Sequence, residues 1–432
     1  MIKNNLSLFT KKYLKHNFVL VVLISIGKIL SFGWKTLLLK ESIELVGEIE
    51  VLLTTLGLLL SITSLAFPSA FGRFSLINKK RTKEYGKFAF IQTVKIFILI
   101  SLIILTTSIL FSDFYQKIFI IPFISFSLLL FSVVVQEFFL VFLNIKKRFT
   151  GYGVSKFILQ PGIKIFFLGL ILLGVISKRM LLDHVVWSIF LTTLITGLFL
   201  IKKINLKKET VSLQDKEKKG FLSYSRSLSG SLISFIVYGS VDIYLIQYFL
   251  GNFSVGIYSA IFMGINAMEL LFSPFLQTFQ VHLSEKKQQL QKQLFTQRTS
   301  YLLIVLGILM GLLIFIVLPP FLKYVLSIEN INKFVILFFI IAKIIHSTIV
   351  LLLRHYLDFE GEEKFTLKTM GLSLLLKTFL GIILIPRMGL LGLAIAQITA
   401  ELIHVLLLKR KTSFFFNPNI EELKKPFYTM NS

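Results

Sequence analysis

Long apolar windows alternate with short charged segments along the whole chain. An α-helix needs about 20 apolar residues to cross the hydrocarbon core of a bilayer, and each window is close to that length. Twelve windows can be drawn, at residues 18–39, 49–67, 88–111, 118–143, 152–176, 185–201, 221–250, 253–281, 301–318, 334–353, 370–385 and 390–408. The pattern therefore predicts an all-α membrane protein with about twelve transmembrane helices.

Basic residues collect in every second segment between the windows. They are concentrated at residues 11–15, 73–87, 146–148, 202–219, 286–292, 364–368 and 409–411. The alternate segments carry only isolated lysines and arginines, and the first of them is acidic, with Glu41, Glu44 and Glu48. Because basic flanks stay on the cytoplasmic side of a membrane, both termini are predicted to be cytoplasmic.

The longest basic segment divides the windows into two sets of six. The sequence thus predicts an N-terminal six-helix bundle at 1–201, a cytoplasmic basic linker at 202–220, a C-terminal six-helix bundle at 221–409 and a cytoplasmic tail at 410–432. Lys164 lies in the middle of the fifth window and Lys377 in the middle of the eleventh, so the two lysines occupy corresponding positions in the two halves. With six spans each, both halves enter the membrane from the cytoplasm, so the pseudo-repeat is predicted to be parallel.

The composition supports this class of protein and excludes several others. The chain of 432 residues is 55% hydrophobic, with 45 Phe and a mean hydropathy of +0.80, which excludes a soluble globular domain. Basic cytoplasmic loops account for the formal charge of +25 without a nucleic-acid partner. The chain has no cysteine, its six histidines form no metal pattern, and it contains no nucleotide-binding loop. We therefore expect no metal, no cofactor and no ATP hydrolysis.

Four lysines lie in the middle of apolar windows, at Lys28, Lys164, Lys343 and Lys377. A charge at the bilayer centre costs about 2.5 to 3.5 kcal/mol on insertion scales, so such a residue faces a cavity or a partner. Lys28 and Lys164 each belong to a polar stripe with a spacing of three or four residues, which lies on one face of a helix. We interpret the four lysines as the lining of a hydrated cationic cavity that binds an anionic substrate.

The embedded charges also have a structural interpretation. Lysines close to a span end can extend to the membrane surface, and this is the preferred interpretation for Lys35 and Lys156. The carboxylates Asp242, Glu269 and Glu401 are either ion-pair partners of the deep lysines or sites of proton or sodium coupling in a secondary transporter. The sequence leaves both possibilities open.

Three short segments carry a resemblance to a known family. The first is the apolar hairpin at 242–259, with a Gly251-Asn252 turn followed by Val-Gly-Ile-Tyr-Ser at 255–259. The second is Leu-Ala-Phe-Pro-Ser-Ala-Phe-Gly-Arg-Phe at 65–74, and the third is Gly-Leu-Leu-Gly-Leu-Ala at 389–394. Together they resemble the polysaccharide-export flippases (Wzx-type), the polysaccharide transporter branch of the MATE-like exporter superfamily.

This resemblance implies a MATE-like fold of two six-helix bundles and a transporter rather than an enzyme. The implied substrate is an undecaprenyl-pyrophosphate-linked oligosaccharide for O-antigen, capsule or other cell-surface polysaccharide. The protein would move it from the cytoplasmic to the outer leaflet of the bacterial cytoplasmic (inner) membrane, by alternating access through a cationic central cavity. The implied partners are this lipid-linked substrate, membrane lipids and a coupling proton or sodium ion, with no nucleic acid.

Three alternative functions remain open from the sequence. A MATE-like exporter could carry another amphipathic substrate, although organic cations would favour an acidic cavity. An integral-membrane glycosyltransferase or polymerase of the same pathway is disfavoured, because such enzymes usually need large outward loops and those of this chain are short. A scaffold of an envelope-synthesis complex would not transport at all, and its deep lysines would then have only structural roles.

Overall fold

The computed structural model describes residues 22–23, 25–112, 122–146, 151–152, 154–175, 183–204, 213–268, 272, 279, 283, 289–328, 331–360 and 362–412. Within these ranges every regular element is helical. Contacts divide the chain into two compact units, Met1–Ser240 and Val241–Ser432.

Within the described ranges of the first unit we name seven helices and the beginning of an eighth. They are α1 (residues 25–41), α2 (Ile43–Ser64), α3 (Phe67–Ile77), α4 (Thr82–Leu110), α5 (Phe123–Ile145), α6 (Gln160–Leu172) and α7 (Asp183–Ile204). A 3₁₀ turn at Lys79–Arg81 precedes α4, and a π-helical turn at Val154–Leu159 precedes α6.

The helical stretch Asp215–Ile265 belongs partly to each unit. Gly251 has φ 78° and ψ 175°, which is not helical, so the stretch is two helices. We name them α8 (residues 215–250) and α9 (residues 252–265). The second unit continues with α10 (Gln289–Pro320), a π turn (Phe321–Val325), α11 (Lys333–Ile345), a π turn (His346–Val350), α12 (Leu351–Phe359), α13 (Glu363–Met388) and α14 (Leu390–Lys409).

These helices confirm the prediction of an all-α, multi-pass membrane protein. Nine helical stretches within the described ranges are long and apolar enough to cross a membrane, judged by length and composition. Each of the twelve apolar windows overlaps one or more of the described helices. The reason is that a bilayer core selects for length and apolarity, and both can be read directly from sequence.

Several helices follow one another with almost no connecting chain. Only Ser42 separates α1 from α2, and its Oγ caps α2 by accepting a hydrogen bond of 3.2 Å from Leu45 N. Gly251 alone separates α8 from α9, and Gly389, with φ 59°, separates α13 from α14. Such short connections make each of these pairs a tight helical hairpin.

The break between α2 and α3 is of a different kind, because it uses no glycine. Leu65 and Ala66 have φ of 40° and 57°, a left-handed conformation that side chains disfavour. The Ser225 hydroxyl on α8 donates a hydrogen bond to the Leu65 carbonyl oxygen and so helps to hold the break. The same region packs a cluster of buried rings, including Phe71 and Phe221.

This aromatic cluster places the first part of α8 with the N-terminal unit. Phe221 is fully buried and stacks on Phe67 and Tyr85, and Arg81 forms a salt bridge with Glu217. Residues up to 240 therefore group with the first unit, whereas the sequence places the division at 202–220. The predicted domain boundaries stay a prediction.

Candidate functional site

A cavity of about 340 Å³ within the first unit brings the two predicted lysine stripes together. Its lining comes from α1, α2, the π turn before α6, and α6 itself. The lining residues are Gly27, Lys28, Ser31, Trp34, Lys35, Glu50, Lys156, Pro161 and Lys164. Lysines outnumber carboxylates four to one among them, so the cavity suits an anion.

The α1 side of the cavity follows from helical periodicity. Lys28, Ser31 and Lys35 are spaced by three and four residues, so they share one face of α1. Trp34 lies beside them and is only 6% exposed. The Lys164 Nζ atom is 4.5 Å from the centre of the Trp34 ring. A cation–π contact contributes about 0.5 to 2 kcal/mol of interaction energy, and this one orients the ammonium group of Lys164.

The single carboxylate of the cavity holds one of its lysines. Lys35 Nζ lies 2.8 Å from Glu50 Oε1, and both side chains are partly exposed. The contact joins α1 to α2 across the cavity. Glu50 thus neutralises one positive charge, and the lysine-rich character of the remaining lining is kept.

The fifth predicted span contributes an irregular backbone to the cavity. The π-helical turn Val154–Leu159 and Pro161 in the first turn of α6 interrupt the regular α-helix there. Lys156 lies on the π turn and donates a hydrogen bond of 3.1 Å to the Tyr152 hydroxyl oxygen. Such interruptions re-aim side chains, and here they leave Lys156 and Lys164 lining one cavity.

The remaining predicted site residues lie in the second unit. Lys377 Nζ on α13 is 2.9 Å from Asp242 Oδ1 on α8, and Tyr258 on α9 donates a hydrogen bond of 3.3 Å to Asp242 Oδ2. Lys343 is half-buried on α11. Glu401 Oε1 on α14 is 2.9 Å from His346 Nδ1, and Glu269 lies outside the described residues. The structure thus brings Lys28 and Lys164 together and gives Lys377 a carboxylate partner.

Sequence reasoning did not assign four of the cavity residues. It interpreted Lys35 and Lys156 as surface-seeking, and it gave no role to Glu50 or Trp34. The stripes themselves contained a signal, because Lys35 is seven residues from Lys28 and Lys156 is eight from Lys164. Both spacings return to the same helix face after two turns. Glu50 and Trp34 could not be found in this way, because their roles depend on which helices pack together.

No group of three or more His, Asp or Glu side chains able to hold a metal occurs in the part of the chain that the structure describes. The chemistry of the cavity is therefore that of ammonium groups, one carboxylate, a hydroxyl and an indole. These groups can bind and orient an anion by charge and hydrogen bonding.

Helix order and topology match solved membrane transporters. A multidrug resistance MATE family transporter of the MOP superfamily, inward-facing, matches with a TM-score of 0.69 at 12% identity, covering 93% of this chain and 99% of that chain. The lipid II flippase MurJ in an inward closed conformation matches with a TM-score of 0.59 at 15% identity, covering 94% of this chain and 89% of that chain. A MOP superfamily transporter from Pyrococcus furiosus Vc1 (DSM3638) is described as having a binding pocket of reverse polarity. It matches with a TM-score of 0.60 at 12% identity, covering 94% of this chain and 96% of that chain. At these identities the matches show the fold, which is MATE-like.

The family follows from the sequence itself. A family model for polysaccharide biosynthesis proteins matches residues 13–281, so the chain belongs to this family. No curated protein matches the chain. The resemblance drawn from the three short segments is thereby confirmed for family and fold.

Proposed function

We propose that this protein is a secondary transporter that flips a polyprenyl-pyrophosphate-linked oligosaccharide from the cytoplasmic to the outer leaflet of a bacterial cytoplasmic membrane. The observation that carries the proposal is the lysine-lined cavity, with Lys28, Lys35, Lys156 and Lys164 in one lining. Membership of the polysaccharide biosynthesis family supports the pathway. The shared fold with a protein described as a lipid II flippase supports a lipid-linked substrate.

Electrostatics explains why such a substrate needs this cavity. A pyrophosphate carries more than one negative charge at neutral pH, and each charge that leaves water costs several kcal/mol unless opposite charge replaces the water. A pocket lined by lysines supplies that opposite charge, and low-dielectric walls strengthen the interaction. The same charge disfavours organic cations, and this argues against the drug-exporter alternative.

The size of the cavity indicates which part of the substrate it holds. At about 340 Å³ it lies at the lower end of the range of about 300 to 1,000 Å³ for small-molecule sites. It is therefore suited to the pyrophosphate and the sugar next to it, while the lipid tail stays in the bilayer. Lysine ammonium groups are mobile point charges, so they can follow a head group that changes position during alternating access.

The predicted roles of Lys343 and Lys377 at the head group stay predictions. Neither residue lines the cavity in the first unit, and Lys377 contacts Asp242. The proposal therefore depends on Lys28 and Lys164.

A binding experiment tests the cavity directly. The chain contains two tryptophans, Trp34 and Trp187, so Trp187→Phe leaves Trp34, beside Lys164, as the only tryptophan. In this background, added inorganic pyrophosphate should change the emission of Trp34 in a saturable, salt-sensitive way. Lys28→Gln and Lys164→Gln should each weaken binding about tenfold or more, the equivalent of about 1.4 kcal/mol.

An export experiment tests the function. Cells that depend on this protein should lose surface polysaccharide when they carry Lys28→Gln together with Lys164→Gln, while the protein still accumulates in the membrane. Lys164→Arg should restore export partly, because the charge is kept. Lys95→Gln is the matched control, because Lys95 is an exposed lysine within α4 that does not line the cavity. Normal export by the double variant would refute the proposal.

A further inference from the structure

The first turns of α5 and α7 enclose a second cavity, separate from the lysine-lined one. Helices α5 and α7 pack against each other within the first unit, and the cavity between them has a volume of about 180 Å³. Its lining residues are Pro122, Ser125, Leu128, Leu129, Asp183, Val186, Trp187 and Phe190. None of them lines the lysine cavity, so the proposed head-group site does not use them.

The cavity is polar at one end and apolar at the other. On α7, Asp183, Val186 and Phe190 are spaced by three and four residues, so they share one face of the helix. Asp183 and Ser125 belong to the first turns of α7 and α5, and the apolar members of each set follow one or two turns later. The lining therefore changes from polar to apolar along the two helices.

The cavity opens at the surface of the unit, between α5 and α7. Leu128 is 52% exposed and Trp187 is 53% exposed, and both residues line the cavity. Ile124 and Leu191, one helical turn away on the same two helices, are also exposed apolar side chains. Exposed apolar side chains on a helix that crosses a bilayer face lipid rather than water. A hydrocarbon chain of the bilayer can therefore reach the cavity without crossing water.

The predicted orientation places the opening in the outer leaflet. The basic segments 146–148 and 202–219 lie at the far ends of α5 and α7, so the first turns of both helices are expected on the outer side. Trp187 lies one turn after the start of α7, and tryptophan is enriched at the boundary between lipid headgroups and chains. The polar end of the cavity is thus expected at headgroup level and the apolar end at chain level.

We propose that this cavity binds an outer-leaflet phospholipid whose headgroup carries an ammonium group, of the phosphatidylethanolamine class. The ammonium group pairs with the Asp183 carboxylate, and part of one acyl chain fills the space between Leu129, Val186 and Phe190. An apolar cavity of about 150 Å³ holds a benzene-sized molecule, so this one accommodates a segment of one chain and not a whole lipid.

The choice of headgroup follows from the charge at the polar end. Asp183 is exposed, and it is the charged residue among the described lining residues. A carboxylate attracts an ammonium group and repels a headgroup that carries only negative charge. For the same reason the cavity disfavours a polyprenyl pyrophosphate, so it is not a second site for the proposed substrate. Lys178 and Arg179 precede α7 in the sequence and lie outside the described residues, so the test includes an anionic lipid.

This inference does not rest on the proposed function, because it concerns a different cavity and a different ligand. Lipid binding is measured on the purified chain without any lipid-linked oligosaccharide. Loss of polysaccharide export and loss of lipid selectivity are therefore separate results, and failure of one proposal can be told from failure of the other.

The test uses Trp187 as a reporter inside the cavity. Trp34→Phe leaves Trp187 as the only tryptophan, and bromine atoms on an acyl chain quench tryptophan emission on contact. The full chain is placed in phosphatidylglycerol nanodiscs with a fixed minor fraction of dibrominated phosphatidylethanolamine or, in parallel, of dibrominated phosphatidylglycerol. The ethanolamine lipid should quench at least about twofold more strongly, an effect within the range of one partly exposed ion pair.

Two variants in this background separate the headgroup from the chain. Asp183→Asn should bring the ratio of quenching by the two lipids to about one, because the carboxylate is lost. Val186→Phe should weaken quenching by the ethanolamine lipid, because the added ring occupies the space of the chain. The matched controls are Asp215→Asn, an exposed acid on α8, and Leu191→Phe, an exposed position on α7. Neither control residue lines the cavity, so both ratios should stay unchanged.

Three results would overturn the proposal. The first is equal quenching by the two brominated lipids in the Trp34→Phe chain. The second is a preference for the ethanolamine lipid that survives Asp183→Asn, which is expected to fold because Asp183 is exposed. The third is loss of the preference when polyprenyl phosphate is added in small amount, because the cavity would then belong to an isoprenoid lipid. If Val186→Phe does not fold, Asp183→Asn decides alone.

Discussion

At the scale of single residues, Lys377 and Asp242 form a deeply buried ion pair. Their side chains are 1% and 4% exposed, and Tyr258 also donates to Asp242. Burial removes water from both charges, so the pair is tolerated only because each charge faces the other. Loss of one partner should therefore be much more harmful than loss of both.

This yields a prediction for stability. Lys377→Met and Asp242→Leu should each lower the free energy of unfolding by about 3 to 5 kcal/mol, because a buried charge is left uncompensated. The double variant should recover most of that loss. Thermal unfolding of the purified chain in detergent gives the measurement as a double-mutant cycle. Additive losses in the double variant would show that the two side chains are not coupled.

The same variants decide between the two interpretations of Lys377. If Lys377 also acts on the substrate head group, the double variant should regain stability but not polysaccharide export. If its role is to pair with Asp242, stability and export should return together. Lys343→Gln serves for comparison, because Lys343 is a half-buried lysine of the same unit.

Residue-scale information was only partly present in the sequence. Deep lysines are visible because a charge inside an apolar window is rare, and Lys28 and Lys164 were found in this way. Their partners were not visible, since Trp34 is about 130 residues from Lys164 along the chain and only packing brings them together. The Glu401–His346 contact was missed for the same reason, although the sequence did place Glu401 in a span.

At the scale of elements, the breaks between helices are more informative than the helices themselves. The α8–α9 hairpin depends on Gly251, whose φ of 78° and ψ of 175° lie in a region that is essentially confined to glycine. The α2–α3 break instead forces Leu65 and Ala66 into positive φ. The sequence predicted the first break from its Gly-Asn turn. It also ended the second window at residue 67, next to the second break, but it did not predict the left-handed backbone there, because apolar residues do not reveal backbone strain.

The prediction at this scale concerns Gly251. Gly251→Ala should destabilise the protein by about 1 to 3 kcal/mol, because an alanine Cβ is strained at that φ and ψ even though the space around it is open. Gly239→Ala is the matched control on α8, since it also has open space and lies within the helix. There alanine should be neutral or stabilising by up to about 1 kcal/mol. Equal thermal stabilities for the two variants would contradict the argument.

Helix existence was easy to predict, and helix length was not. Helix α10 begins at Gln289, although its apolar window begins at residue 301, because a polar helical segment continues beyond the apolar part. The π turns Val154–Leu159 and His346–Val350 were also not predicted, since a single extra residue per turn leaves the apolar pattern almost unchanged. The turn Val154–Leu159 carries Lys156 of the cavity, which helps to explain why the cavity was harder to predict than the fold.

At the scale of the whole molecule, the distribution of charge determines how the chain is inserted. The formal charge of +25 is concentrated in alternate loops, and basic residues next to a span resist translocation. With the even number of spans that the sequence predicts, both termini are expected in the cytoplasm. With six spans predicted in each half, both halves are expected to begin on the same side, which is the condition for a parallel repeat.

The prediction at this scale is that the α1–α2 and α8–α9 connections both face outward and that the segment between α3 and α4 faces the cytoplasm. Lys40 and Lys80 are exposed, Asn252 follows the α8–α9 break, and the chain has no cysteine, so single cysteines at these three positions report the topology without background. Lys40→Cys and Asn252→Cys should react with a membrane-impermeant maleimide in intact cells whose outer membrane, where present, is permeabilised.

Lys80→Cys should react only after lysis, because it lies in a basic segment that also carries Lys79, Arg81 and Lys83. Opposite labelling of Lys40→Cys and Asn252→Cys would make the two halves antiparallel, and labelling of Lys80→Cys in intact cells would reverse the orientation.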